Sequence, residues 1–285
     1  MTYTSHTPTP TPDPQPPRSP ATKPIMVLIA VLGGLILLVV AVTNGFSSAI
    51  NFTRGTSTMT ADTTGVTDLQ VDANASRFTL EFTDVSEATL QTDGVNAENW
   101  RLDRDGDRLI VQAPKRWFGW CFVNCNPDEQ QVTLLLPAEL NDSSLNADLE
   151  LAAGQLVADG EFDHLGVEVG AGEANINGSA DQLEAQLSAG STNLHLADVQ
   201  TAELDISAGR LITDLTGDTP DSINAEVSAG RLELTVPEGQ YAVDSDVTAG
   251  NLDNQLQTHP TSNHRIGIEL AAGNATLQSH GAAQQ

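Results

Sequence analysis

Seven times in the second half of the chain, a run with an apolar residue at every second place closes on a small residue, then Ala, then Gly. The marks end at Gly154, Gly172, Gly190, Gly209, Gly230, Gly250 and Gly273, so the gaps are 18, 18, 19, 21, 20 and 23 residues. A unit that short cannot bury its own apolar face and has to stack on copies of itself. The repeat therefore predicts an all-β fold over residues 66–280, a parallel, β-helix-like β-solenoid with turns of about 20 residues.

Setting the glycines in register sorts the side chains by kind. Three places before Gly stand Leu151, Val169, Leu187, Ile206, Val227, Val247 and Leu270, all large aliphatics. The residues five before are mostly apolar, and Ala stands immediately before every glycine, so these three places are expected to face inward as in a half-buried strand. After the glycine the apolar places fall two and four residues on, as in Leu211, Leu232 and Leu234. The phase thus slips by one at each mark, which predicts a bend or bulge at the glycine between two strands of one turn.

Four places before Gly the chain reads Glu150, Glu168, Gln186, Asp205, Glu226, Asp246 and Glu269. This is an acidic ladder on the outer face. One reading is a collector of divalent cations or of a polycationic partner, because hard cations take carboxylate oxygens. The other is a solvated face whose charge blocks edge-to-edge association of a sheet protein. The repeat lacks the Gly/Asp consensus of calcium-binding β-rolls, which favours the second reading. Arg210 and Arg231 each follow a glycine and are expected to stack on adjacent turns.

Ahead of the repeats, Ile25 to Val42 is an unbroken apolar run of 18 residues. At about 1.5 Å per residue it suffices for one bilayer crossing. The run is longer than the h-region of a cleaved signal peptide, so an uncleaved anchor is expected, with the transmembrane helix at residues 25–43. Arg18 and Lys23 precede it and only Arg54 follows, which places the N-terminus in the cytoplasm and the rest outside it. Residues 1–24 form a Thr/Pro-rich tail with too few aliphatic side chains to order, and residues 44–65 read as a polar stalk.

Between stalk and repeats, alternation at Leu69 and Val71, Phe78 and Leu80, Trp100 and Leu102, and Leu109 and Val111 predicts further strands. Asp103 to Asp107 resembles the start of a calcium loop, but Pro114 occupies the place of the bidentate Glu, so Asp105-Gly106 reads as a hairpin turn. Lys115 to Cys125 departs from the repeat chemistry. It holds Trp117, Phe118, Trp120 and Phe122 together with both cysteines, Cys121 and Cys125. Cysteines four apart on the outer side of a membrane are read most simply as a small disulfide loop, since zinc would need further ligands and Cys-x-x-Cys spacing is absent. The aromatics either plug the open N-terminal end of the solenoid or form a contact loop for a membrane or partner protein.

The net charge of −26 excludes nucleic acid as a natural partner, because phosphate binding needs a basic footprint. No nucleophile motif, phosphate-cradling loop or metal spacing occurs, and His164, His195, His259, His264 and His280 are scattered through the repeat. No catalytic, cofactor-binding or metal residue is assigned. A polysaccharide-active enzyme is disfavoured because the short turns cannot wall a groove.

The strand Val132-Thr133-Leu134-Leu135-Leu136-Pro137, then Leu149-Glu150-Leu151-Ala152-Ala153-Gly154 and later steps such as Ile206-Ser207-Ala208-Gly209, resemble a bacterial putative-adhesin family. That family consists of domains of unknown function related to head-GIN adhesin domains, and the likeness spans roughly residues 66–280. The resemblance implies a β-solenoid at the bacterial cell envelope behind one membrane anchor, with no catalytic residues to carry over. The expected function is that of a non-enzymatic adhesin or envelope scaffold meeting a surface protein, envelope protein or glycan. The alternative is an envelope-stress sensor signalling through its cytoplasmic tail.

Overall fold

The computed structural model describes residues 54–95, 97–114 and 130–281. No described helix is long and apolar enough to cross a membrane, and residues 25–43 lie outside the described ones. Among the described residues, apart from the two short 3-10 turns Ala97–Asn99 and Ala138–Leu140, the regular structure is all strand. In chain order the strands are β1 (Arg54–Ala61), β2 (Asp68–Thr83), β3 (Ala88–Val95), β4 (Arg101–Asp105), β5 (Arg108–Gln112) and β6 (Gln131–Pro137). There follow β7 (Asn146–Ala197), β8 (Thr201–Ile206), β9 (Arg210–Thr216), β10 (Ser222–Val227) and β11 (Gly230–Val236). The last are β12 (Gln240–Val247), β13 (Asn251–Asn254), β14 (Gln257–Thr258), β15 (Arg265–Leu270) and β16 (Gly273–Ser279).

Extended straight, the 52 residues of β7 would reach about 170 Å. Instead the strand folds back on itself. The Asp163 N–H donates to the Leu145 carbonyl at 3.0 Å, 18 places earlier in sequence. Beyond β7 the parallel partners are Gln182 with Thr201 and Thr201 with Ser222 on one side of the core. On the other side they are Ser191 with Arg210 and Arg210 with Arg231. Each repeat unit therefore supplies two strands that meet at the Ala-Gly step, and equal places in successive units stack in columns.

The glycine column shows why the step is needed. A Cβ on Gly172 would lie 2.5 Å from the Gly154 carbonyl oxygen, closer than a carbon and an oxygen can approach. Gly190 has the same clash with the Gly172 backbone and also a φ of +111°, which L side chains rarely adopt. The expected phase slip is present, since the register of β2 against β7 shifts at Asn74 and Ser76, opposite Ala153 and Gly154. The alanines differ from the expectation. Ala171, Ala189, Ala208, Ala229, Ala249 and Ala272 are exposed, because the bulge puts consecutive residues on the convex side of the corner.

The core is a narrow double file of aliphatics, with Leu151, Val169, Ile206, Val227, Leu232 and Leu270 at most 1% exposed. Each such side chain contributes about 1.5–3 kcal/mol relative to exposure. Its N-terminal end is covered differently from the parallel sheet that the repeat predicts. The sheet is mixed: β4 pairs antiparallel with β5, β3 with β6, and β1 with β3. Strand β1 falls within residues 44–65, so part of the expected stalk is an edge strand of the sheet. Trp100 is buried there against Phe78, ring centroids 6.3 Å apart. The β4–β5 hairpin turns at Gly106 with a φ of +66°, as the sequence predicts.

At the other end, chain order and spatial order part. β15 pairs with β10 on one side and β12 on the other, and β16 lies between β11 and β13. The unit marked by Gly273 thus sits between the fifth unit and the sixth. Burial gives the reason. The seventh unit faces inward with Ile266, Ile268, Leu270, Ala275 and Leu277, all at most 3% exposed. The sixth presents Ser245 and Asn254 at equivalent inward places, and polar residues there suit the last position of a stack.

Candidate functional site

The inward aliphatics fix which way the intervening side chains point, and this builds the outer acidic face. Strand register places Asp72 beside Glu150, Gln186 beside Asp205, and Asp205 beside Glu226. Glu226 then meets Glu269, and Glu269 meets Asp246. Glu150, Glu168, Glu226, Asp246 and Glu269 are exposed and Asp205 is half-buried. The ladder is thus one place longer than the repeats indicate, because β2 acts as an additional turn without a glycine mark. Its last two members also stand in the reverse of chain order.

Two residues before each ladder place runs a second outward row, including Asp148, Glu184, Glu203 and Asp244. Gly267 interrupts it between Asn224 and Asp244. A shallow depression of about 350 Å³ lies in this part of the face, lined among others by Asp205, Glu226, Gly267, Glu269, Asp244 and Asp246. The Glu150 carboxyl is pushed up, first by partial burial, then by Asp72 and Glu168. Among the described residues no three His, Cys, Asp or Glu side chains converge in an arrangement that could hold a metal ion.

The opposite outer face is chemically distinct. Arg210 and Arg231 are neighbours in register, as expected, but Glu233 sits against both. Arg210 Nη2 donates to both Glu233 oxygens at 2.9 and 3.0 Å, and Arg231 Nη1 lies 3.9 Å from Oε1. Asn193 Nδ2 donates to Asn175 Oδ1 at 2.8 Å, and Gln278 Nε2 to Thr235 Oγ1 at 3.0 Å.

Two histidines that look scattered in sequence share one carboxylate on this face. His195 Nδ1 lies 3.0 Å from Asp214 Oδ2, and His280 Nε2 lies 2.9 Å from Asp214 Oδ1 and 2.9 Å from the Leu215 carbonyl. The period puts His195 and Asp214 at equal places of adjacent units, so that pair was open to detection. His280 arrives only because the seventh unit is inserted. Near the β12 end, the Tyr241 hydroxyl donates to the Pro237 carbonyl at 2.9 Å, and burial pushes the phenol up to about 12.

Cys121, Cys125, Trp117, Phe118, Trp120 and Phe122 all lie outside the described residues. Within the described residues, antiparallel strands and Trp100 cover the end that the aromatic segment was expected to plug.

No protein-family model matches the chain, and no curated protein does. Solved structures do. A putative adhesin from Bacteroides fragilis has a TM-score of 0.53 at 14% identity, over 81% of this chain and 100% of that one. A putative adhesin from Parabacteroides distasonis has a TM-score of 0.43 at 12% identity, over 80% of this chain and 98% of that one. A putative cell adhesion protein from Clostridium sporogenes has a TM-score of 0.37 at 9% identity, over 80% and 100%. The likeness to the Bacteroides fragilis protein is one of fold.

Proposed function

We propose that the chain is a membrane-anchored, extracytoplasmic β-solenoid of the bacterial cell envelope that acts by contact, as an adhesin or a scaffold, and not as an enzyme. The observation that carries the reading is the ordered acidic face: the sequence alone favours a merely solvated face, but the register sets its carboxylates side by side on adjacent strands, which supports the other reading, a surface for a polycationic partner. The depression in it is shallow, so recognition falls to an extended surface instead of an enclosed cavity. The fold shared with a protein described as a putative adhesin agrees with this, as does the 18-residue apolar run near the N-terminus. That run anchors the chain in the cell membrane once, N-terminus inside.

Expression of the full chain in a non-adherent bacterial strain tests the reading. Cells carrying it should be retained on envelope-coated surfaces. Retention should fall when Glu150, Glu168, Asp205, Glu226, Asp246 and Glu269 are changed together to Gln or Asn. Retention no greater than that of cells lacking the protein would refute the contact role. The Thr/Pro-rich segment before the anchor supports a second reading, an envelope-stress sensor. Deleting residues 1–20 separates the two, because a contact protein keeps its retention without them and a sensor loses its response.

A further inference from the structure

Among the described residues, the sixth unit leaves a strand edge uncovered. Residues 242–247 of β12 pair with β15 on one side, while on the other β14 reaches only Gln240 and Tyr241. Among the described residues no strand lies across the remainder. The Ala242 N–H donates toward β15, to the His264 carbonyl at 2.8 Å, and the Thr248 N–H does so to Leu270 at 2.9 Å. Backbone groups along a strand alternate sides, so the N–H and C=O of Val243, Ser245 and Val247 point to the uncovered side.

Side chains alternate as well. Asp244 and Asp246 stand exposed on the outer face, Asp246 beside Glu269, which is itself beside Glu226, and Asp244 beside Gly267. Val243 and Val247 face the end of the core. Val247, 40% exposed, is an exposed large hydrophobic residue at a place where its counterparts Val227 and Leu270 are fully buried.

Charge selects the occupant. A second copy joined by the same edge would set its own Asp244 and Asp246 one strand spacing, about 5 Å, from these carboxylates, which opposes association. A strand with basic side chains at alternate places would neutralise them, and its intervening aliphatic side chains would cover Val243 and Val247.

We propose that the uncovered edge of β12 binds an extended peptide segment in which basic residues alternate with aliphatic ones, added to the sheet as a further strand. Main-chain hydrogen bonds to Val243, Ser245 and Val247 supply the pairing, and Asp244 and Asp246 select the cationic sequence. This rests on the contact role proposed above and names its partner chemistry.

The test uses the full chain in detergent micelles and a fluorescent peptide of alternating Lys and Val, followed by anisotropy. Saturable binding that weakens with salt is expected, with no binding of the corresponding Glu/Val peptide. N-methylating every second amide of the Lys/Val peptide, in both phases, should cost about tenfold or more in one phase. Asp244→Asn with Asp246→Asn should weaken binding about tenfold. Ser245→Pro removes one donor on the uncovered side, where an edge proline is compatible with pairing on the other, and should abolish binding. Should that variant fail to fold, the N-methylated peptides decide alone, since they leave the protein untouched.

Equal binding of the parent and both N-methylated peptides would overturn the proposal, because charge alone would then explain it. So would no binding, or self-association of the chain that Ser245→Pro abolishes while the peptide stays unbound. If the peptide fails to bind but cells carrying the chain are still retained, the edge is refuted and the contact role stands.

Discussion

At the residue scale, the glycine step is a packing requirement between adjacent turns. Gly190→Ala has to place a methyl group on the Gly172 backbone and hold a positive φ, so it should lose about 2 kcal/mol or more in urea unfolding. Ala189→Ser, one place earlier and exposed, should stay within about 0.5 kcal/mol of the parent. Equal stabilities for the two variants would contradict the stacked-backbone account. Tyr241 gives a second residue-scale prediction. Its phenol is raised from 10.0 to about 12 on folding, so the neutral form is the one the fold favours. That contribution is complete below the unfolded value near 10.0 and is lost as pH climbs through about 12. In a Tyr3→Phe background, phenolate absorbance should rise near 12 in the folded chain and near 10 in denaturant.

At the element scale, one member of the ladder opposes the strand that carries it: partial burial first, then the Asp72 and Glu168 carboxylates, raise the Glu150 carboxyl. A carboxyl raised on folding stabilises in its protonated form, so its contribution is present below the unfolded value near 4.5 and is lost as pH rises through the folded one. Glu150→Gln should therefore raise the melting temperature at pH 7, and the gain should vanish in acid. Glu150 is largely exposed, so solvent screening limits the effect to a few tenths of a kcal/mol, about the size of other surface charge terms. The columns behind this prediction were legible in the sequence, because alternation fixes which side chains share a face and the glycines fix the register. Pairing direction was not, since Gln131–Pro137 alternates in the same way whether its neighbour runs parallel, as β2 does, or antiparallel, as β3 does. β1 escaped for a related reason: its Thr- and Ser-rich sequence suits a solvated edge strand and a stalk equally.

At the scale of the described fold, unit order is the feature that periodicity could not reveal. Seven units with one pattern fit together in many orders, and only their differences decide, here Ser245 and Asn254 against Ile268 and Leu277. Removing residues 259–285 therefore takes out an interior layer, β15 and β16, and leaves the apolar faces of β10 and β11 uncovered. The truncated chain should melt well below the parent, with loss of protection from hydrogen exchange extending into β10 and β11. An unchanged melting temperature would contradict the inserted order. The insertion also governs how the fold answers to force. A pull applied beyond Ser279 cannot peel an outermost layer away one hydrogen bond at a time. It has to draw β15 and β16 out from between two neighbours and load the ladders on both sides of each strand together, so the order of the last two units acts as a mechanical clasp.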